Sequence, residues 1–122
     1  MVNDKYITNM DRMFYNSQAT TLDLSSFDTS NVVNMEGMFW ESHATSINGL
    51  NKFDTSKVTD MSGMFSLSQA TSLDLSSFDT SNVTTMTGMF NSSKVTSGYA
   101  RNQTEADKFN NLIGSTIFTV KN

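Results

Sequence analysis

The side chains with the most evident capacity for chemistry are paired methionines. Met-x-x-Met occurs four times, and its thioether sulfurs are soft ligands of the kind that bind Cu(I). Each pair also falls on the predicted inward face of a repeated segment, where the adaptable methionine side chain packs well against aromatic neighbours. We therefore interpret the methionines as core residues and predict neither a metal site nor any other cofactor. The pairs are Met10/Met13, Met35/Met38, Met61/Met64 and Met86/Met89.

Three aspartates recur in step with these methionines, namely Asp28, Asp54 and Asp79. A column of carboxylates is a candidate for Ca²⁺, which binds several oxygen ligands at close range. A short side-chain oxygen at the start of a turn or helix also accepts an unpaired backbone N–H. We expect the aspartates to have this capping role.

Two residue types occur once each, Trp40 and His43. A single histidine and the absence of cysteine exclude a His-based triad, a His cluster and a thiolate metal site. Trp40 has two interpretations, an exposed anchor for a partner or a plug over a distorted repeat. No phosphate loop, nucleophile elbow or suitably spaced carboxylate pair is present, and we predict that the chain is not an enzyme.

Rows of serine and threonine suggest two further functions. A flat hydroxyl array is typical of an ice-binding face, but Asp23, Asp74 and Asn48-Gly49 interrupt the rows. Glycosylation sequons begin at Asn82, Asn91 and Asn102, and in a chain rich in Ser, Thr and Asn such matches arise by chance.

The composition and charge of the chain limit which other classes of function are possible. The chain has 122 residues, a formal charge of −4 and 37% hydrophobic residues. The mild, unclustered charge argues against nucleic-acid binding, which requires a concentrated basic face. No window approaches the roughly 18 consecutive apolar residues of a membrane span, so we predict no direct membrane insertion.

The elements that position these residues are internal repeats. Phe-Asp-Thr-Ser begins at Phe27, Phe53 and Phe78, and each copy continues to a Met-x-x-Met-Phe segment. Self-similarity at about 25 residues is typical of a solenoid. Leu22 and Leu24 follow leucine-rich-repeat spacing and alternate with polar residues, which predicts a strand with the leucines inward.

We therefore predict a right-handed, leucine-rich-repeat-like solenoid with one parallel β-sheet and short helical or 3₁₀ segments opposite. Asn48-Gly49 is a turn or bulge signal that should distort one strand. After the repeats, the sequence predicts a helix that has Thr104 as its N-cap and ends before Gly114. It also predicts a strand over 116–120. The predicted divisions are a solenoid of about three and a half repeats over 1–97 (1–20, 21–45, 46–71, 72–97) and a C-terminal cap over 98–122.

The outward row of the predicted sheet is the candidate binding face, because solenoids commonly bind on such extended surfaces. The alternative is a solvated surface without a ligand. The predicted face consists of Thr21, Asp23, Ser25, Ser46, Asn48, Ser72, Asp74 and Ser76.

The segment from Thr71 to Phe90 closely resembles a bacterial surface-protein repeat of about 25 residues, found in mycoplasma lipoproteins and lactic-acid-bacterial surface proteins and related to BspA-like leucine-rich repeats. The resemblance covers roughly 5–97, and the segment after Gly98 looks like the end of such arrays. Many such repeats have Cys where this chain has Ser, at Ser17, Ser42, Ser68 and Ser93.

This resemblance implies an extracellular or cell-surface, non-enzymatic module for adhesion to a host or matrix protein or a glycan. Because the chain begins in mid-repeat, we expect it to be a piece of a longer one. The alternative function is a structural spacer or stalk that self-associates end to end through its N-terminal edge.

Overall fold

The structure is a computed structural model that describes residues 7–121. Residues 1–6 of the predicted half-repeat and Asn122 of the predicted cap lie outside this range. The elements in chain order are β1 (Thr21–Asp23), β2 (Ser46–Asn48), a 3₁₀ helix (Leu50–Lys52), β3 (Ser72–Leu75), β4 (Ser97–Ala100), α1 (Gln103–Ile113) and β5 (Phe118–Val120).

The strand pairs of residues 7–121 are all parallel; β1–β2 and β3–β4 join equivalent residues of successive repeats, and β4–β5 joins the last of these strands to the cap. Thr21 pairs with Ser46 in β1–β2, and Ser72 pairs with Ser97 in β3–β4. We expected one sheet, but the strands form two, β1–β2 and β3–β4–β5. Parallel in-register pairing is what a solenoid requires, and the solenoid itself stays a prediction.

The division between the sheets follows the distortion predicted at Asn48-Gly49. Gly49 has a φ of +99°, and the 3₁₀ helix begins at the next residue. A Cβ at Gly49 would lie 2.7 Å from the carbonyl carbon of Leu24. The turn therefore needs glycine both for its left-handed backbone and for its close approach to the preceding repeat.

The segments predicted as helical or 3₁₀ are instead consecutive turns. Gly37 N–H donates to Ser62 O at 2.8 Å and Phe39 N–H to Met64 O at 2.8 Å, whereas Met38 N–H bonds back to Met35 O at 3.2 Å. Alternate residues thus bond to the next repeat and within their own turn. The prediction failed because positive φ values, +60° at Gly37 and +56° at Glu41, break any continuous helical run.

The core is a column of stacked aromatic rings bordered by methionines. The Phe39 ring lies parallel to those of Phe14 and Phe65, with centroids 5.6 and 5.3 Å away, and Phe65 stacks on Phe90 at 5.7 Å. Fully buried methionines surround them, as the core interpretation expects. These are Met35, Met38, Met61, Met64 and Met89. Met13 of the first described repeat, however, is 41% exposed and Met86 is only half-buried, so the interpretation is wrong for Met13.

The C-terminal segment has the predicted helix and strand, with different boundaries. The N-cap of α1 is Asn102 and not Thr104, because the extended Asn102 places its Oδ1 2.9 Å from Glu105 N. Gly114 ends the helix at a φ of +83°. The strand is shorter than 116–120, and β4 crosses the boundary that we predicted between 97 and 98.

Candidate functional site

The part of the predicted binding face on β1 and β2 is formed as expected. Thr21 lies beside Ser46 and Asp23 beside Asn48, and all four side chains are exposed. Leu22 between them is half-buried, and Leu24, the next residue after β1, is buried. The alternation of leucine and polar residues therefore predicted correctly which side chains point outward.

Asp23 is held in place by its neighbour Ser25. Its Oδ1 accepts the Ser25 hydroxyl at 2.7 Å and the Ser25 N–H at 3.1 Å. The hydroxyl bond, followed by the backbone bond, lowers the pKa of Asp23 because both stabilise the carboxylate. The face therefore presents a fixed negative charge that stays ionised under mildly acidic conditions.

The part of the predicted face on β3 has a different environment. Ser72 and Asp74 lie in β3, and Ser76 comes directly after it. Because β3 does not pair with β2, the eight predicted residues do not form one continuous row. Asp74 Oδ2 accepts Lys121 Nζ at 2.8 Å, and Lys121 also lies 5.4 Å from the Tyr99 ring centroid. This second carboxylate is therefore neutralised by the C-terminal segment.

Burial of Asp74 acts to raise its pKa, but hydrogen bonds from Lys121 and Ser76 outweigh that effect and the net pKa is lowered. The hydrogen bond and charge of Asp74 in turn raise the pKa of Lys121. Both groups are charged at neutral pH. The sequence does not signal this pair, because its partners are 47 residues apart.

The aspartates that follow the repeated phenylalanines have the predicted capping role. Asp54 Oδ1 accepts the Ser56 N–H at 3.0 Å and the Ser56 hydroxyl at 2.6 Å, and Asp28 bonds to Ser30 in the same way. Among residues 7–121, no group of three His, Cys, Asp or Glu side chains is arranged to hold a metal ion.

The buried threonine between each Asp and Ser links successive repeats. Thr55 Oγ1 accepts the Asp79 N–H at 2.8 Å and donates to Asp79 O at 2.9 Å. Thr29 makes the same two bonds to Asp54. Sequence reasoning missed this role, although the invariant Thr in Phe-Asp-Thr-Ser was its signal.

Thr80 is the last threonine of this column, and side chains of α1 make the hydrogen bonds that a further repeat would make. Glu105 is 5% exposed, and its carboxylate accepts both the Oγ1 hydroxyl and the N–H of Thr80. Lys108 Nζ donates to Thr80 Oγ1 at 2.9 Å and lies 3.5 Å from Glu105 Oε1. Glu105 and Lys108 thus reproduce the acceptor and donor that a further repeat would offer.

Trp40 borders a surface groove that the sequence did not predict. The groove has a volume of about 220 Å³ and passes over the repeated glycines Gly37, Gly63 and Gly88. Its other lining residues are Glu36, Ser62, Ser66, Thr87 and Asn91. The lone tryptophan and the recurring glycine were the available signals, but only the fold brings them together.

A comparison of the sequence with protein families gives one assignment. The family described as "Mycoplasma protein of unknown function, DUF285" matches residues 2–103. The chain belongs to this family. The DUF285 match ends at the first residue of α1, so it spans the described repeats and strand β4 but not the rest of the helix or β5.

No curated protein and no solved structure matches the chain. Family membership agrees with the resemblance to mycoplasma repeats at the level of the family. In the part of the chain that the structure describes, no helix is long and apolar enough to cross a membrane.

Proposed function

We propose that the chain is a non-enzymatic binding or adhesion module that acts at the cell surface. In this proposal the repeats form a right-handed solenoid related to BspA-like leucine-rich repeats, and the partner is a host or matrix protein or a glycan. The observation that carries the proposal is the exposed polar rung on β1 and β2, where Thr21 pairs with Ser46 and Asp23 with Asn48.

The chemistry of this rung favours a polar partner. The four side chains offer hydroxyl, amide and carboxylate groups, and Asp23 carries a negative charge whose position is fixed by Ser25. Such groups suit the hydrogen bonds and cationic contacts of a polar interface better than the burial of an apolar anchor. The second carboxylate, Asp74, is already paired with Lys121 and contributes less.

A glycan and extracellular-matrix array tests the proposal with the wild-type chain and Asp23→Lys. Asp11→Lys is the matched control, because Asp11 is also exposed and the charge change is the same. Circular dichroism verifies the fold of each variant. Loss of a wild-type signal in Asp23→Lys alone supports the proposal, and a signal that survives in Asp23→Lys excludes the rung as its site.

A structural spacer is the second candidate, and a specific observation favours it. The first described repeat exposes large apolar side chains, with Ile7 53%, Met13 41% and Tyr15 47% accessible. End-to-end contact through this edge would bury them. Sedimentation velocity tests this function. The spacer hypothesis predicts concentration-dependent association that Met13→Glu abolishes. A monomer at all concentrations contradicts it.

A further inference from the structure

The groove beside Trp40 is built separately from the polar rung. None of the eight residues of the predicted binding face lines it. We propose that this groove binds a neutral saccharide chain, by packing a sugar ring against the indole of Trp40. The proposal does not rest on the proposed function, because it concerns a different surface and a different set of side chains.

The floor of the groove is open because glycine recurs there. A Cβ added at Gly63 would meet no atom within 4 Å, and one at Gly88 would meet only Asn91 Cβ at 4.0 Å. Arg12 occupies the corresponding position of the first repeat with a φ of +54°, so the backbone accepts a larger residue there. Gly63 and Gly88 therefore leave space that a side chain would otherwise fill, whereas a Cβ at Gly37 would lie 3.3 Å from Arg12 Cγ and 3.4 Å from Trp40 Cε3.

Trp40 forms a firmly held aromatic wall. Two residues of the preceding repeat contact the indole: the Arg12 guanidinium lies 5.6 Å from the ring centroid and the Tyr15 ring lies 5.4 Å away. Cation–π and aromatic contacts of this kind fix the ring. The other residues that line the groove come from the same repeat and the two that follow.

The remaining lining chemistry selects a neutral sugar over other ligands. Ser62, Ser66, Thr87 and Asn91 supply hydroxyl and amide groups that exchange hydrogen bonds with sugar hydroxyls. Glu36 of the lining and Arg12 beside Trp40 carry opposite charges, so the groove has no net charge that would favour phosphate, sulfate or nucleic acid. At about 220 Å³ the groove is smaller than the roughly 300–1,000 Å³ of small-molecule pockets. A groove of this size is suited to contact with one part of a longer saccharide chain and not to enclosing a whole small molecule.

Trp40 also provides the measurement, because it is the chain's single tryptophan. The intact chain is titrated with cellohexaose, chitohexaose and maltohexaose while indole emission is recorded, and calorimetry detects binding that leaves the emission unchanged. The proposal expects saturable binding of at least one hexasaccharide. Absence of binding of all three by both methods overturns it.

Gly63→Asn places a side chain in the groove and should weaken binding by about tenfold or more. Gly114→Asn is the matched control, since Gly114 also has a positive φ and open space around its Cβ position. Equal affinity of both variants would overturn the assignment of the site. Tighter, salt-sensitive binding of a heparin hexasaccharide would overturn the neutral ligand class. Neither result bears on Asp23→Lys, so the two proposals fail independently.

Discussion

The ring of Phe118 occupies the space that a side chain at Gly98 would need. Gly98 lies in β4, opposite Leu73 of β3, where the earlier repeats have Leu22 and Ile47. A Cβ at Gly98 would lie 2.6 Å from Phe118 Cδ1 and 2.8 Å from Leu73 O. Phe118 also contacts the rings of Phe90 and Phe109, with centroids 5.4 and 5.1 Å away. The cap therefore replaces the missing leucine with a ring supplied from β5.

This relationship predicts the effect of Gly98→Ala. The added methyl group should destabilise the chain by about 1–3 kcal/mol, because it forces Phe118 out of its position. Urea unfolding measures the change. In a Phe118→Ala background, which itself should lose about 3–5 kcal/mol, the cost of Gly98→Ala should be smaller, and the part that remains reflects the contact with Leu73 O. An equal cost in both backgrounds would show that the two residues are not coupled.

The buried contacts of Thr80 predict the effect of Glu105→Ala. Removal of the carboxylate leaves the Thr80 N–H and hydroxyl without their acceptor, which should lower the free energy of unfolding by about 1–3 kcal/mol. Lys108→Ala should cost less, because the Lys108 side chain is 42% exposed. Chemical denaturation compares the two variants, and a larger loss for Lys108→Ala would contradict this ranking.

The Asp-x-Ser turns predict how stability depends on pH. Hydrogen bonds from the serine hydroxyl, then from its N–H, lower the folded-state pKa of Asp28 and Asp54 below the usual value of about 3.9. A lowered pKa stabilises the fold above the unfolded value, and this stabilisation is lost as pH falls through the folded pKa.

The urea midpoint should therefore stay level from about pH 7 to pH 5 and decline below about pH 4. Ser30→Ala/Ser56→Ala removes the hydroxyl bonds and should make that acid decline shallower. An unchanged decline in the double variant would assign the acid sensitivity to other groups.

The backbone at Leu67 predicts a stabilising substitution. Leu67 has a φ of +56° and is 43% exposed, so it pays the left-handed penalty without a buried side chain in return. Asn16 has the equivalent position in the first repeat with a φ of +54°. Leu67→Asn should raise stability by up to about 1 kcal/mol, because asparagine tolerates this conformation.

Leu112→Asn is the matched control for Leu67→Asn. Leu112 is 41% exposed but lies within α1, where asparagine has a lower helix propensity than leucine. Thermal unfolding should show opposite shifts for the two substitutions. A gain at Leu112 as large as that at Leu67 would mean that removal of an exposed apolar side chain, and not relief of the backbone, causes the effect.

The sequence predicted those features that depend on local periodicity. Alternation around Leu22 placed the strand and its outward residues, and the methionine and phenylalanine spacing placed the core. Asn48-Gly49 located the distortion, although not the division into two sheets, which depends on how β2 and β3 fail to meet. The turns after Met35 were wrongly predicted as helical because their spacing imitates a helix, whereas every second backbone hydrogen bond runs to the next repeat.

The candidate site was predictable only in part, because its contacts join distant residues. No local sequence pattern around Asp74 predicts its ion pair with Lys121, and none around Thr80 predicts its hydrogen bonds to Glu105. The groove beside Trp40 depends on three glycines in different repeats that become neighbours only when the repeats pair. Such features require the register between repeats, which sequence spacing alone does not supply for the bulged repeat.

The cap formed by Glu105, Lys108 and Asn110 has a consequence for polymerisation. Asn110 Nδ2 donates to Phe118 O at 3.0 Å and its Oδ1 accepts Phe118 N–H at 2.7 Å, so the outer edge of β5 is also occupied at this residue. A filament grows only if each molecule offers two complementary ends. On the strand side of the C-terminal end, Thr80 and Phe118 have their hydrogen bonds satisfied from within, so these residues offer no template for the first repeat of another copy. The turn of the last repeat differs, because the N–H groups of Gly88 and Phe90, unlike those of Gly63 and Phe65, have no partner among residues 7–121. End-to-end growth would therefore run along this turn and not along the capped strand.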